Sequence, residues 1–238
     1  MSEPDYSFAD RITYTIPRAA RLLQLPTRQV RSWLIPHRKV IKGTEHVIPP
    51  LWDPTIEPYQ GQVLVTFLEL MELKIVRAML ERKKSRRAEI RACIRGWRDI
   101  TKGMPYFLVN KKFAPMLMGS TLAVELKEDG ICVGASTQQL IMKDIVMPEL
   151  VDLEYRDDED LPSQWIPKEW GGGIIVSPAY ATGKPVVKER HIPTEALAVT
   201  AAADGLPSAA QQWRVPLEAV QRAVDFEQSL DQRKREAA

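Results

Sequence analysis

The chain has 238 residues, 45% hydrophobic and 27% charged, with a formal net charge of +2. That balance excludes collagen-like order and wholesale disorder and leaves room for one or two folded units with a sizeable core. Two distant cysteines, Cys93 and Cys132, and three scattered histidines exclude a disulfide scaffold and a structural zinc spacing, so neither metal nor cofactor is expected.

The longest uncharged stretch, from Trp170 to Gly183, is too short to span a bilayer. The opening MSEPDYSFAD is acidic and lacks the apolar region of a secretory signal, which points to a cytoplasmic protein. The small net charge conceals a segregation. Residues 1–103 carry 19 Lys/Arg against 11 Asp/Glu, residues 104–182 carry 6 against 12, and residues 183–238 carry 8 against 8. A basic first segment suits a phosphate-bearing partner, because neutralising phosphates releases condensed counterions; a solvated face is the plain alternative.

In chain order, Thr15 and Pro17 predict the start of a helix whose apolar face is Ala19, Ala20, Leu22 and Leu23. Gln24-Leu25-Pro26 breaks it, and Thr27 is expected to cap a second helix with Val30, Trp33 and Leu34 at three-to-four-residue spacing. Two short helices around a tight turn read as a helix-turn-helix. Thr27, Arg28, Gln29, Arg31 and Ser32 lie off its apolar stripe, and Arg and Gln are the types that read guanine and adenine edges or clamp phosphates. The alternative is a helical hairpin that merely packs. Val40-Ile41 and Val47-Ile48 around Lys42-Gly43-Thr44 predict a hairpin wing, with Lys39 and Lys42 placed to reach a DNA backbone and His37 and His46 on its surface.

Residues 64–82 predict an amphipathic helix with one broad stripe of Leu64, Phe67, Leu68, Met71, Ile75 and Met79. Ser85 is expected to cap a following helix carrying Ile90, Ile94 and Trp97, and the cations from Arg82 to Arg91 form the densest positive cluster of the chain. Beyond residue 104 the runs YFLV, LAVEL, ICVGA and IIV read as short strands, with Asp129-Gly130 as a hairpin turn. The acids of 156–160 read as a solvated loop rather than a cation site, and Gly171-Gly172-Gly173 precedes a strand, the wrong order for a phosphate-binding loop.

From residue 183 the pattern is helical again. TEALAVTAAADG follows Pro193, SAAQQW follows Pro207, and PLEAVQRAVDFEQSL carries Leu217, Val220, Val224 and Phe226 as its inward residues. His191 sits on the turn into the first of these. No GxSxG, P-loop or HExxH motif occurs and no nucleophile-base pair has supporting spacing, so no enzyme is expected.

Two resemblances add to this reading. Residues 14–95 resemble the MerR-type winged helix-turn-helix, through YTIPRAARLLQLPTRQVRSWL and FLELMELKIVRAMLERKKSRRAEIRA; Gln24 and Lys83-Lys84 stand where that family commonly has glycine. Residues 174–228 resemble a small helical antitoxin domain, through IIVSPAYATGKPVV, HIPTEALAVTAAADG and AAQQWRVPLEAVQRAVDFE, with Lys188-Glu189-Arg190 replacing a Gly-Thr-Arg-type turn.

Together they imply a VapB-like antitoxin of a type II toxin–antitoxin module, a PIN-type ribonuclease toxin as partner, and autoregulation by binding operator DNA. The expected architecture is α+β, mainly α: a winged helix-turn-helix over 1–103, an acidic β-rich middle over 104–182 and a tri-helical unit with a basic tail over 183–238. A homodimer is expected, with Arg233, Lys234 and Arg235 either entering the acidic metal pocket of the nuclease or forming a frayed, solvated helix end. The rival reading is a stand-alone regulator whose middle segment senses a ligand through Trp165 and Trp170; a pure interaction scaffold is a third.

Overall fold

A computed structural model describes residues 12–83, 87–100, 106–111, 147–156 and 160–236. It is an α+β chain in which helices predominate over small antiparallel sheets.

β1 (Thr13–Thr15) leads directly into α1 (Ile16–Leu22), which Thr15 caps by accepting the Arg18 N–H at 3.4 Å, with Pro17 in the first turn. The exit from α1 is a Schellman turn. The Gln24 N–H donates to the Arg21 carbonyl at 3.0 Å and the Leu25 N–H to the Ala20 carbonyl at 2.9 Å, with Gln24 itself in the left-handed region at φ 53°. Gln24 thus fills the backbone conformation that glycine normally supplies. Helix α2 (Thr27–Leu34) follows, and here the expectation is corrected: Pro26, not Thr27, occupies the capping position, with no side-chain cap, because Thr27 already has helical geometry.

The hairpin β2 (His37–Ile41) and β3 (Thr44–Ile48) pairs Ile41 with Thr44, so its loop is only Lys42-Gly43. Both loop residues have positive φ, 50° and 81°, the type I′ geometry that matches strand twist. Residues 64–66 are not helical as expected but form β4 (Leu64–Thr66), paired with β1 so that Tyr14 lies opposite Val65. A capping box sets the boundary. The Glu69 carboxylate accepts the Thr66 N–H at 2.8 Å while the Thr66 hydroxyl accepts the Glu69 N–H at 3.1 Å, so α3 (Phe67–Lys83) starts after Thr66.

Helix α3 is also not one-sided. From Phe67 to Val76 every residue is buried, Glu69, Glu72 and Lys74 included, because neighbours enclose the helix and give each of these three side chains a hydrogen-bond partner. α4 (Arg87–Ile100) buries Ile90, Ile94 and Trp97 as its spacing predicts; Ser85 lies outside the described residues. Residues 106–109 form a buried turn, not the expected strand, with the Val109 N–H donating to the Tyr106 carbonyl at 3.2 Å. The LAVEL and ICVGA runs, Asp129-Gly130 and the acids 157–159 lie outside the described residues.

Further on, β5 (Leu153–Tyr155) pairs with β6 (Pro162–Trp165), and β7 (Ile174–Ile175), β8 (Val186–Val187) and β9 (Ile192–Pro193) form a three-stranded sheet. Three helices close the chain: α5 (Thr194–Asp204), α6 (Leu206–Trp213) and α7 (Leu217–Glu236). α7 buries Ala219, Val220, Ala223, Phe226 and Leu230. Leu217, expected inward, is 46% exposed instead, because it opens the helix on the side away from that stripe.

One apolar cluster runs through all three sequence segments. Trp165 packs on Trp170 at 5.8 Å and Trp170 on Phe226 at 4.3 Å, a ladder of rings from β6 to α7. The Tyr14 hydroxyl donates to the Gly183 carbonyl at 2.9 Å. Gly183 has φ +73°, and a Cβ there would lie 2.4 Å from the Tyr14 oxygen, so only glycine fits.

Candidate nucleic-acid interface

Helix α2 is oriented by its buried side. Val30, Trp33 and Leu34 are packed in the core, and the Trp33 carbonyl accepts the Leu51 N–H at 2.7 Å. The opposite side is therefore held outward. Thr27, Arg28 and Arg31 are exposed; Gln29 and Ser32 are half-buried, and the Ser32 hydroxyl donates to the Gln29 carbonyl at 2.7 Å. Among the described residues, neither Arg28 nor Arg31 has a carboxylate within ion-pair distance. An unpaired guanidinium on a rigid helix keeps its donor fork available for phosphate or a base edge.

The hairpin adds cations beside this helix. Lys39 and Lys42 are exposed, and Lys42 stands at the tip. Strand alternation divides the hairpin: Lys39 shares a face with His37 and His46, whereas Arg38 shares the other with Val40, Glu45 and Val47. Lys39 and Ser32 line one crevice of about 280 Å³, together with Trp33, His37 and Arg91. The structure thus brings together Ser32 and Lys39, and adds Arg91 from the dense positive cluster.

Arg38 escaped the sequence reading although it adjoins Lys39. It is 76% exposed and lies 3.5 Å from Glu45, a pairing that solvent screens strongly. The signal that could have found it is the pairing register, which sets Arg38 and Lys39 on opposite faces. His37 and His46 are not cross-strand neighbours, and no group of three metal-binding side chains occurs among the described residues.

Two cations elsewhere are paired with acids. Lys74 is buried on α3 and donates to the Glu149 carboxylate at 2.7 Å and the Asp152 carboxylate at 2.9 Å. Asp152 in turn accepts the Trp165 indole N–H at 2.9 Å. Arg21 on α1 reaches across to α7, meeting Glu227 at 2.8 Å and Asp231 at 3.0 Å. Burial works against its charge, but the hydrogen bonds and charges of these acids raise its pKa above the ordinary value. Glu227 also accepts the Thr194 hydroxyl.

Among the described residues no cation hydrogen-bonds to Glu72; it accepts the Leu108 N–H at 3.3 Å, and burial pushes its carboxyl up to about 8. Burial also raises the Tyr14 and Tyr155 hydroxyls.

Trp165 is 1% exposed. His191 stacks on Tyr180 at 3.7 Å, on the expected turn before α5. Arg233, Lys234 and Arg235 lie on the last turns of α7, with their side chains outside what the structure describes.

No helix among the described residues is long and apolar enough to cross a membrane. No protein-family model matches the chain. No curated protein matches it. The crystal structure of Rv2018 from Mycobacterium tuberculosis is similar in fold, with a TM-score of 0.60 at 17% identity, over 89% of this chain and 96% of that one.

Proposed function

We propose that the chain is the antitoxin of a type II toxin–antitoxin module, working in the cytoplasm as a dimer that binds operator DNA and neutralises a PIN-type ribonuclease. The observation that carries the DNA half is the exposed pair Arg28 and Arg31, without a carboxylate partner among the described residues, on a helix whose other side is locked in the core. On this reading, α1, α2 and the hairpin work as a winged helix-turn-helix. Thr27, Arg28, Gln29, Arg31 and Ser32 face the major groove while Lys39 and Lys42 follow the phosphates. Two-fold symmetry then requires a pseudo-palindromic operator with half-sites one or more helical turns apart.

The toxin half rests on the resemblance of residues 174–228 to a helical antitoxin domain, with Arg233, Lys234 and Arg235 proposed to enter the acidic metal pocket of the nuclease. For the ligand-sensing alternative, Trp165 is buried and packs on Trp170, while Trp170 packs on Phe226 and lines a groove beside α7.

A gel shift on the DNA upstream of the gene, at moderate salt, tests the first half; no shift would end it. Co-expression with the product of the adjacent open reading frame tests the second. The expected result is a co-purifying small nuclease whose RNA cleavage is abolished; an adjacent product left active and unbound would overturn it.

A further inference from the structure

The turn between α1 and α2 recurs in the last third of the chain. α6 also leaves through a Schellman turn: the Arg214 N–H donates to the Gln211 carbonyl at 3.2 Å and the Val215 N–H to the Ala210 carbonyl at 3.1 Å, with Arg214 at φ 53°. Gln24-Leu25-Pro26-Thr27 and Arg214-Val215-Pro216-Leu217 are thus equivalent, and the buried Val30 corresponds to the buried Val220. The residues of α7 standing where α2 carries Thr27, Arg28, Arg31 and Ser32 are therefore Leu217, Glu218, Gln221 and Arg222.

These four residues do not form a cationic face. They border a groove of about 750 Å³, floored by Trp170, Leu206, Leu217 and Phe226. Glu169, Glu218 and Asp225 stand on its rim, all exposed, and none has a cation partner among the described residues. Arg222, the lining cation, is held by Glu189 at 2.9 Å. The groove is apolar within and negative at its edge. From Leu217 to Ser229 it follows α7 for about 18 Å at 1.5 Å per residue, enough to seat three turns of a helix.

We propose that this groove is a docking site for a basic amphipathic segment of a partner protein, with apolar side chains on Leu217 and Trp170 and flanking Lys or Arg facing Glu169, Glu218 and Asp225. Charge selects this occupant: a second copy presenting the same face across a two-fold axis would set carboxylates against carboxylates, an arrangement that opposes association. The proposal deepens the antitoxin reading by naming a contact surface for the toxin, and rests on that reading for the partner's identity but not for its chemistry.

The test uses the full chain and two labelled 14-residue peptides with the same leucine stripe, one flanked by lysine and one by glutamate, followed by fluorescence anisotropy. The lysine peptide is expected to bind at least tenfold more tightly, and less tightly as salt rises. Leu217→Ser is expected to weaken it about tenfold, and the double variant Glu218→Lys with Asp225→Lys to invert the preference. Both changes fall on exposed side chains, and unchanged circular dichroism confirms the fold. Equal binding of the two peptides, or a preference untouched by the double variant, would overturn the proposal. So would a wild-type dimer that Leu217→Ser dissociates in sedimentation, since the occupant would then be a second copy.

Co-expression with the adjacent nuclease separates the two readings. If wild type and both variants neutralise it equally, the groove falls and the antitoxin reading stands. If wild type ignores the nuclease while the peptide preference inverts as stated, the antitoxin reading falls and the groove stands.

Discussion

The turn at Gln24 and the turn at Arg214 share backbone geometry but present opposite chemistry. After the first, α2 carries Arg28 and Arg31 into solvent, with no ion-paired carboxylate among the described residues. After the second, α7 lines an apolar groove with Leu217 and carries Glu218 and Asp225 on its rim. The supports differ as well. α3, with buried Glu69, Glu72 and Lys74, lies behind the first helix pair; the ring ladder of Trp165, Trp170 and Phe226 lies behind the second. Two helices joined by this turn therefore fix where side chains point, and the residues then decide what they meet.

The largest effect expected is on the charged support. Lys74→Ala removes the buried cation that Glu149 and Asp152 share and should cost roughly 3–5 kcal/mol of stability, read as a fall in Tm. A Tm within a degree of wild type would show that these charges do not hold the first unit.

Glu72 comes next. Its folded pKa, about 8, lies above the ordinary 4.5, so the native state binds a proton that the unfolded chain has already lost. Stability is then fully present below about 4.5 and declines as pH rises toward 8, with a slope approaching about 1.4 kcal/mol per pH unit. Glu72→Gln should flatten that slope in denaturant titrations run across this window; an unaltered slope would move its origin elsewhere.

On the exposed side the two regions should separate cleanly. Arg28→Ala and Arg31→Ala are expected to weaken operator binding by roughly 1–3 kcal/mol per lost base contact, leaving Tm unchanged. Gel shifts that respond equally to Glu218→Ala would erase the distinction between the two helices.

The smallest effect tests the shared geometry itself. Gln24→Gly and Arg214→Gly each relieve a left-handed non-glycine residue, worth up to about 1 kcal/mol before the entropy glycine loses on folding is subtracted. Similar small gains are expected at both positions, and gains of opposite sign would mean that the turns are not equivalent.

Much of the local structure was legible in the sequence. Thr15, Pro17 and Pro26 bracket α1 and α2, Gly205 ends α5, and Lys42-Gly43 forms a tight turn. The pairing of β1 with β4 was not, since three-residue strands 51 positions apart leave no periodic trace. Nor was the burial of α3 all round: Glu72 and Lys74 look like a polar face until the Leu108 N–H and the Glu149 and Asp152 carboxylates arrive from distant segments. The Thr66-x-x-Glu69 capping box was readable and would have placed the start of α3 correctly.

The exposure of Arg28 and Arg31 followed from helical spacing alone. The outward position of Leu217 did not, because a leucine in the first turn of a helix is ordinarily taken as core. Superposing QLPT on RVPL puts it at the exposed place of Thr27.

The clasp between the Tyr14 hydroxyl and the Gly183 carbonyl ties the first strand to the glycine that opens the last quarter of the chain. Any enlargement of Gly183 would push on Tyr14, and any loss of Tyr14 would orphan a buried carbonyl. Cut-and-paste chimeras joining the front of one such chain to the back of another should therefore misfit at this seam unless both halves of the clasp are transplanted together.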